Sequence, residues 1–328
     1  MAMLIFIASS TASLAAEPGT SYPASAEVSD QKAGSVLVYN FYSSDAIGGV
    51  NNNTKFSITN TSATLPVTVH LFFVSEGCSV ADYNVCLSPN FTGAYLVSEL
   101  DPGITGYLVA IAIDSATGWP ISHNFLIGDA KIKYPSGQNI LSANLPAEAF
   151  AAVFTGIMPV FNPSSTTAVL NFSGTTTGYN RVPTTLALSN IPSRADQNET
   201  TLILIRFGGN LMEAADTLPR IFGLLYNDQE TSFSFTITSG TCQKRLVLSD
   251  QEPRTVPRFT TIIPAGRSGW MKLYTLSGNV GILGSMINFN PNAATRADVF
   301  NGGHNLHKLT FSSTPVSLTI PVFPASCR

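Results

Sequence analysis

An alternating strand pattern that occurs twice constrains this chain more than any other feature. Thr54-Lys55-Phe56-Ser57-Ile58-Thr59-Asn60 reads as Thr, any residue, apolar, small, apolar, hydroxyl, Asn, and Thr184-Thr185-Leu186-Ala187-Leu188-Ser189-Asn190 repeats it. Period-two alternation sends successive side chains to opposite faces of a strand. Downstream of each comes a Gly-x-x-Gly-aromatic marker, Gly103 to Tyr107 and Gly266 to Trp270, followed by a long apolar run. Strand, turn and strand in one order, used twice, predict an all-β chain of two tandem antiparallel β-sandwich modules.

The spacing of strand signals supports that reading. Runs at Ser35–Tyr42, Leu65–Val74, Tyr107–Ile113 and Ile121–Ile127 are β-branched and aromatic, with Gly, Asn and Pro turns between them. The same grammar resumes at Thr184 and ends with Ser317–Phe323, with an extra hairpin or loop expected around Asn210–Pro219. Only Pro146–Phe154 reads as helix, because Pro suits a first helical position and Ala and Glu propagate it. The expected organisation is a leader and linker over 1–32, a first module over 33–160 and a second over 161–328.

Composition narrows the function classes. Charged residues make up 11% of the chain, against about 25% in ordinary soluble domains. Its surface must therefore be wetted by hydroxyls and amides, and a net charge of −3 gives no general attraction to nucleic acid. Met3–Ala8 is apolar and Ser13-Leu14-Ala15 forms a small-x-small cleavage pattern, although no Lys or Arg precedes them. The chain is expected to be exported, to the cell envelope or outside the cell. No stretch supplies the ~20 uninterrupted apolar residues of a membrane helix.

Four cysteines, Cys78, Cys86, Cys242 and Cys327, fit an oxidising destination and are expected to form disulfides. Three connectivities are open. One bond per module is the simplest, Cys78 with Cys86 contributing about 2.5 kcal/mol and Cys242 with Cys327 about 4.5 kcal/mol in the chain-entropy model. Zinc would call for close Cys-x-x-Cys pairs with His partners, and the spacing has none.

The motif ending in Asn60 and Asn190, the alternating strands and the Gly-x-x-Gly-aromatic turn together resemble uncharacterised secreted bacterial proteins with tandem immunoglobulin-like modules. The resemblance runs from Ser35 onward and implies fold and export only, with no active site to carry over.

Candidate chemistry is thin. Gly302-Gly303-His304-Asn305-Leu306-His307, with Asp298 nearby, could offer two imidazoles to a metal. Positions three apart on a strand face opposite sides, so a structural loop is the expectation, with no metal and no cofactor. Ser and His are present without a nucleophile elbow. Acids scatter without a convergent pair. His70 reads as a sheet histidine and His123 as a hydrogen-bonding group at a module rim. Trp119, in Thr117-Gly118-Trp119-Pro120, is the ring best placed at a hairpin tip to stack on a sugar, or else it plugs its own sandwich. Tyr42, Tyr83 and Tyr179 are further loop or strand-end aromatics, and Trp270 is expected in the core.

The sequence therefore predicts a non-enzymatic, exported structural or adhesive surface protein, acting through loops and strand edges on rigid modules. Its expected partners are other surface proteins or glycans. A carbohydrate-binding module pair using Trp119 and His123 is the alternative, and a hydrolase with a dispersed site is the third reading.

Overall fold

The computed structural model describes residues 27–47, 49–136, 139–276 and 280–325. The leader segment and Cys327 lie outside the described residues. Among those described, the chain is all-β, with three short helical segments, α1 (Val97–Leu100), a 3-10 turn at Arg194–Asp196 and α2 (Phe259–Ile262).

The first half contains β1 (Val36–Ser43), β2 (Asn53–Asn60), β3 (Val67–Ser75), β4 (Val80–Leu87) and β5 (Thr92–Leu96). It continues with β6 (Thr105–Ile113), β7 (Leu126–Ser136), β8 (Asn139–Pro146) and β9 (Glu148–Phe150). These form a five-stranded sheet, β4-β3-β6-β1-β9, and a four-stranded sheet, β5-β2-β7-β8. Leu37, Tyr39, Val69, Leu71, Phe73 and Leu108 of the first meet Phe56, Ile58, Ala130 and Ile132 of the second in one core.

After β10 (Thr167–Phe172), the second half begins with β11 (Pro183–Pro192), β12 (Glu199–Arg206), a small hairpin of β13 (Gly209–Asn210) and β14 (Ala214–Ala215), then β15 (Ile221–Tyr226) and β16 (Ser232–Ile237). It closes with β17 (Gln243–Val247), β18 (Ser268–Thr275), β19 (Ile282–Phe289), β20 (Gly302–Asn305), β21 (His307–Phe311) and β22 (Val316–Pro321). The hairpin is the insertion expected from the longer spacing. Here the sheets are β16-β15-β18-β11-β21 and β17-β12-β19-β20. Leu186, Leu188, Ile221, Leu225 and Leu273 face Leu202, Leu204, Ile282 and Met286 across their core.

The halves follow one plan. Replacing β1 to β9 in turn by β11, β12, β15, β16, β17, β18, β19, β20 and β21 converts the first pair of strand orders into the second. The details agree as well. Each half has a short helix before its sixth strand, and a bulge lies at Tyr39/Tyr42 in one half and Leu188/Ile191 in the other. Gly103 and Gly266 both adopt positive φ, 79° and 73°. The Gly-x-x-Gly-aromatic marker therefore occupies equivalent places. The Thr…Asn motif does not: Thr54–Asn60 is β2, whereas Thr184–Asn190 lies in β11, the counterpart of β1. Alternation at matching spacing recurs in strands of unlike position, because it records one buried face rather than a place in the topology.

Finer than all-β, the expectation of two independent immunoglobulin-like sandwiches in tandem is corrected. The described strands form five sheets, and the fifth, β10-β22-β13-β14, is built from the linking strand β10 and three strands of the second half yet seals the first. Its Ala168, Leu170, Phe172, Leu318 and Ile320 join Val36, Val38, Phe72, Val74, Tyr107, Val109 and Ile111 in one buried cluster. Large side chains buried in this way stabilise by about 1.5–3 kcal/mol each. Cys78 is bonded to Cys242, so the expectation of one disulfide per module is corrected too; this bond joins the halves. Cys86 is also disulfide-bonded. No helix forms over Pro146–Phe154: Glu148–Phe150 is β9, which pairs with β1 at Val36, Leu37 and Val38, and this pairing overrides local propensity.

A buried polar seam also holds the halves together. The Asn40 amide donates to Glu148 Oε1 (3.1 Å), Ser285 Oγ (3.0 Å) and Asn305 Oδ1 (3.2 Å). Gln243 Nε2 donates to the carbonyls of Asn40 (2.9 Å) and Gly106 (2.8 Å). Glu148 is ion-paired with Lys308; burial pushes its carboxyl above the usual range, and Lys308 opposes the shift. The amide nitrogens of Asn40 and Gln243 are satisfied across the halves while Asn40 Oδ1 and Gln243 Oε1 find no partner, so the seam favours one relative placement of the parts it joins without being fully matched.

Candidate docking face

The equivalent strand pairs β3/β6 and β15/β18 allow the same surface to be compared in two settings. In the first half Val74 stands opposite Tyr107, Phe72 opposite Val109 and His70 opposite Ile111. In the second, Tyr226 stands opposite Trp270, Leu224 opposite Lys272 and Phe222 opposite Tyr274. The backbone reason for the marker is shared. A Cβ on Gly106 would lie 1.9 Å from the Val74 carbonyl oxygen, and one on Gly269 would lie 2.5 Å from that of Tyr226. The glycine lets two strands approach, and the residue after it projects from the outer face.

In the first half the fifth sheet covers that face, and Tyr107 is 1% exposed. In the second nothing among the described residues covers it. Trp270 is 39% exposed, a correction to its expected place in the core. It stacks on Tyr226 with ring centroids 4.3 Å apart and planes 6° apart. Phe222 and Tyr274 form a second ring pair at 5.3 Å, and Leu224 and Lys272 lie between the two pairs. Exposed Ser232, Ser234 and Thr236 continue the face onto β16. Four rings, one aliphatic chain and one ammonium on a rigid sheet form a surface suited to contact rather than to bond-making.

Trp119 is 3% exposed, its indole N–H donates to the Met158 carbonyl (3.1 Å) and its ring meets Phe161 edge-on at 5.3 Å. It plugs its surroundings and presents no face to a ligand, so its place as a ligand contact is corrected. His123 is likewise buried, with Nε2 2.9 Å from Asn60 Oδ1, and burial pushes its pKa down; it is corrected from rim ligand contact to interior hydrogen-bonding group. Tyr42 and Tyr179 are buried, and Tyr83 is exposed on β4. His70 is the buried sheet histidine expected, with Nε2 2.8 Å from Asp82 Oδ2. That hydrogen bond holds the Asp82 carboxyl below its ordinary pKa.

His304 and His307 come closer than a continuous strand would allow, with ring centroids 6.1 Å apart, because β20 ends before β21 joins a different sheet. Asp298 is taken by Arg296. Among the described residues no group of three or more His, Cys, Asp and Glu side chains is placed to hold a metal. His307 Nε2 lies 3.1 Å from Ser189 Oγ in a cavity that Glu27 and Asp30 also line. Both acids are engaged elsewhere, Glu27 with Arg181 and Asp30 with Asn305, so among the described residues lining this cavity no acid orients the imidazole as acyl transfer requires.

The sequence does carry a signal for the open face that the strand reading passed over. β3 and β6 are nearly unbroken apolar runs, as strands covered on both faces are, whereas β18 is Gly-Trp-Met-Lys-Leu-Tyr, with a charge at mid-strand. No protein-family model and no curated protein matches the chain. Among solved structures, the crystal structure of Thermotoga maritima 1070 is similar over 35% of this chain and 93% of its own, at 12% identity and a TM-score of 0.27.

Proposed function

We propose that this is an exported structural or adhesive surface protein whose working surface is the open outer face of β15 and β18. On this reading the halves are two uses of one strand plan, supported by their shared nine-strand order. One copy has its outer face sealed by the chain itself and the other keeps that face for a partner. Export is supported by the Cys78–Cys242 disulfide, a bond that persists in oxidising compartments. No helix among the described residues is long and apolar enough to cross a membrane.

The observation that carries the proposal is Trp270 at 39% exposure where Tyr107 has 1%. The partner is a different protein chain that presents apolar side chains from a pleated surface, as β10 and β22 present Leu170, Phe172, Leu318 and Ile320 to the equivalent face. It also carries an acidic group for Lys272. A second copy of this chain placed face to face would set lysine against lysine at the centre of the contact, which disfavours self-pairing. Tyr226 and Trp270 each have one ring face occupied by the other, which leaves a poor platform for a sugar.

A photo-crosslinking amino acid in place of Trp270, in the full chain on the surface of its own cells, tests this. The expected result is a heterologous protein adduct that is absent when the same group replaces Tyr83. The isolated partner should then lose at least about tenfold in affinity with Lys272→Glu, a loss of 1.4 kcal/mol or more. Self-adducts, glycan adducts or an unchanged affinity would refute it.

A further inference from the structure

The outer face of the first half's four-stranded sheet points to a second site of different chemistry. Lys55 on β2 stands directly opposite Lys131 on β7, and Lys133 follows two residues on, on the same face. All three are exposed, and they are three of only seven lysines in the chain. Among the described residues none has a carboxylate within ion-pair distance. Like charges directly opposite one another destabilise a sheet, so fold stability gives no reason for this arrangement in a chain so poor in charge. The lysines line a groove of about 770 Å³, together with the amides of Asn53, Asn144 and Asn301 and the apolar chains of Val50 and Leu96.

We infer that this groove binds an acidic polysaccharide, a sugar chain bearing carboxylate or sulfate groups. Neighbouring strands lie about 4.8 Å apart and alternate residues about 6.7 Å apart, so the ammonium groups form a short positive track rather than a point. Asn53 is held by Ser98 and the Thr54 backbone, so the Asn144 amide and the Asn301 amide nitrogen supply the polar contacts for hydroxyls, and the aliphatic chains supply contact for ring C–H faces. The lining contains no aromatic ring on which a base could stack, as single-stranded nucleic acid requires. It contains no arginine fork for phosphate either. The site is independent of the aromatic face, which lies on the other half.

The test measures binding of the full chain to polygalacturonate, dextran sulfate, neutral dextran, an oligothymidylate and anionic lipid vesicles. Binding to one or both acidic glycans is expected, weakening as salt rises and falling at least about tenfold in the Lys55→Gln/Lys131→Gln variant. Trp270→Ala should leave it unchanged, so that failure of the aromatic-face reading and failure of this one remain distinguishable. Preference for carboxylated or sulfated glycan identifies the source of the charge. Lys131→Glu, which gives Lys55 an opposite charge across the strands, should abolish binding while raising Tm. Equal affinity for neutral dextran, tighter binding to oligothymidylate or vesicles, no binding to either acidic glycan, or full binding by the double lysine variant would overturn the proposal.

Discussion

The first half of the molecule hides the face that the second half shows, although both are built on the same strand order. Sheet β4-β3-β6-β1-β9 lies between the core it shares with β5-β2-β7-β8 and the fifth sheet, so every residue of β1 and β3 is buried. Among the described residues, sheet β16-β15-β18-β11-β21 is covered on one face only, and β15 alternates between buried and half-buried residues. The four-stranded sheets reverse the relationship. Ile203 and Ile287 of the second belong to the core of the first half, whereas the counterpart face of the first carries Lys55, Lys131 and Lys133. One scaffold used twice thus leaves two unlike surfaces free, one aromatic and one basic.

The comparison can be broken most sharply at its two aromatic counterparts. Tyr107→Ala should cost about 3–5 kcal/mol in chemical denaturation, as buried aromatic truncations do. Trp270→Ala should cost only about 1 kcal/mol, the order of an aromatic pair contact. Equal losses would mean that the second face is also covered. Next in size is the bond between the halves. Replacing Cys78 and Cys242 by Ser should cost about 2–5 kcal/mol, and hydrogen exchange should rise where the halves meet before it rises inside either core. Gly106→Ala and Gly269→Ala should both destabilise by about 2–3 kcal/mol, since each Cβ would strike a backbone carbonyl. A neutral result at either glycine would separate two positions that the topology equates.

The smallest effect is a pH dependence confined to the first half. Burial depresses the pKa of His123 below its ordinary value of 6.5, so the unfolded chain takes up a proton first as pH falls. Stability is then complete above that value and declines below it, toward the folded-state pKa. His123→Gln should flatten the stability profile between pH 7 and pH 5. An unchanged slope would show that His123 is not held neutral in the interior.

Much of this architecture was legible in the residues, and the losses have definite causes. A shared strand order does recur, and Gly103 with Gly106 and Gly266 with Gly269 mark equivalent places in it, because positive φ at the first of each pair and close strand approach at the second favour glycine. The Thr…Asn motif misled, because a hydrophobic period of two reports only that one face is buried. Pairing of Cys78 with Cys242, and the use of β10 and β22 to seal the first half, are long-range events with no local trace. Ala147, Glu148, Ala149 and Ala151 favour helix in isolation, yet β9 forms because β1 offers an edge and Lys308 offers Glu148 a partner. Of the candidate sites, Trp119 failed through burial that sequence cannot report. Trp270 and Lys272 could have been found by asking why a strand expected in the core carries a charge between two rings.

Because the chain has only two tryptophans, acrylamide quenching tests the central claim most directly. Trp119→Phe leaves Trp270 as the reporter, and Trp270→Phe leaves Trp119. The account predicts that Trp270 emits at longer wavelength and is quenched several-fold more readily than Trp119. Equal protection of the two rings would contradict an open face on the second half.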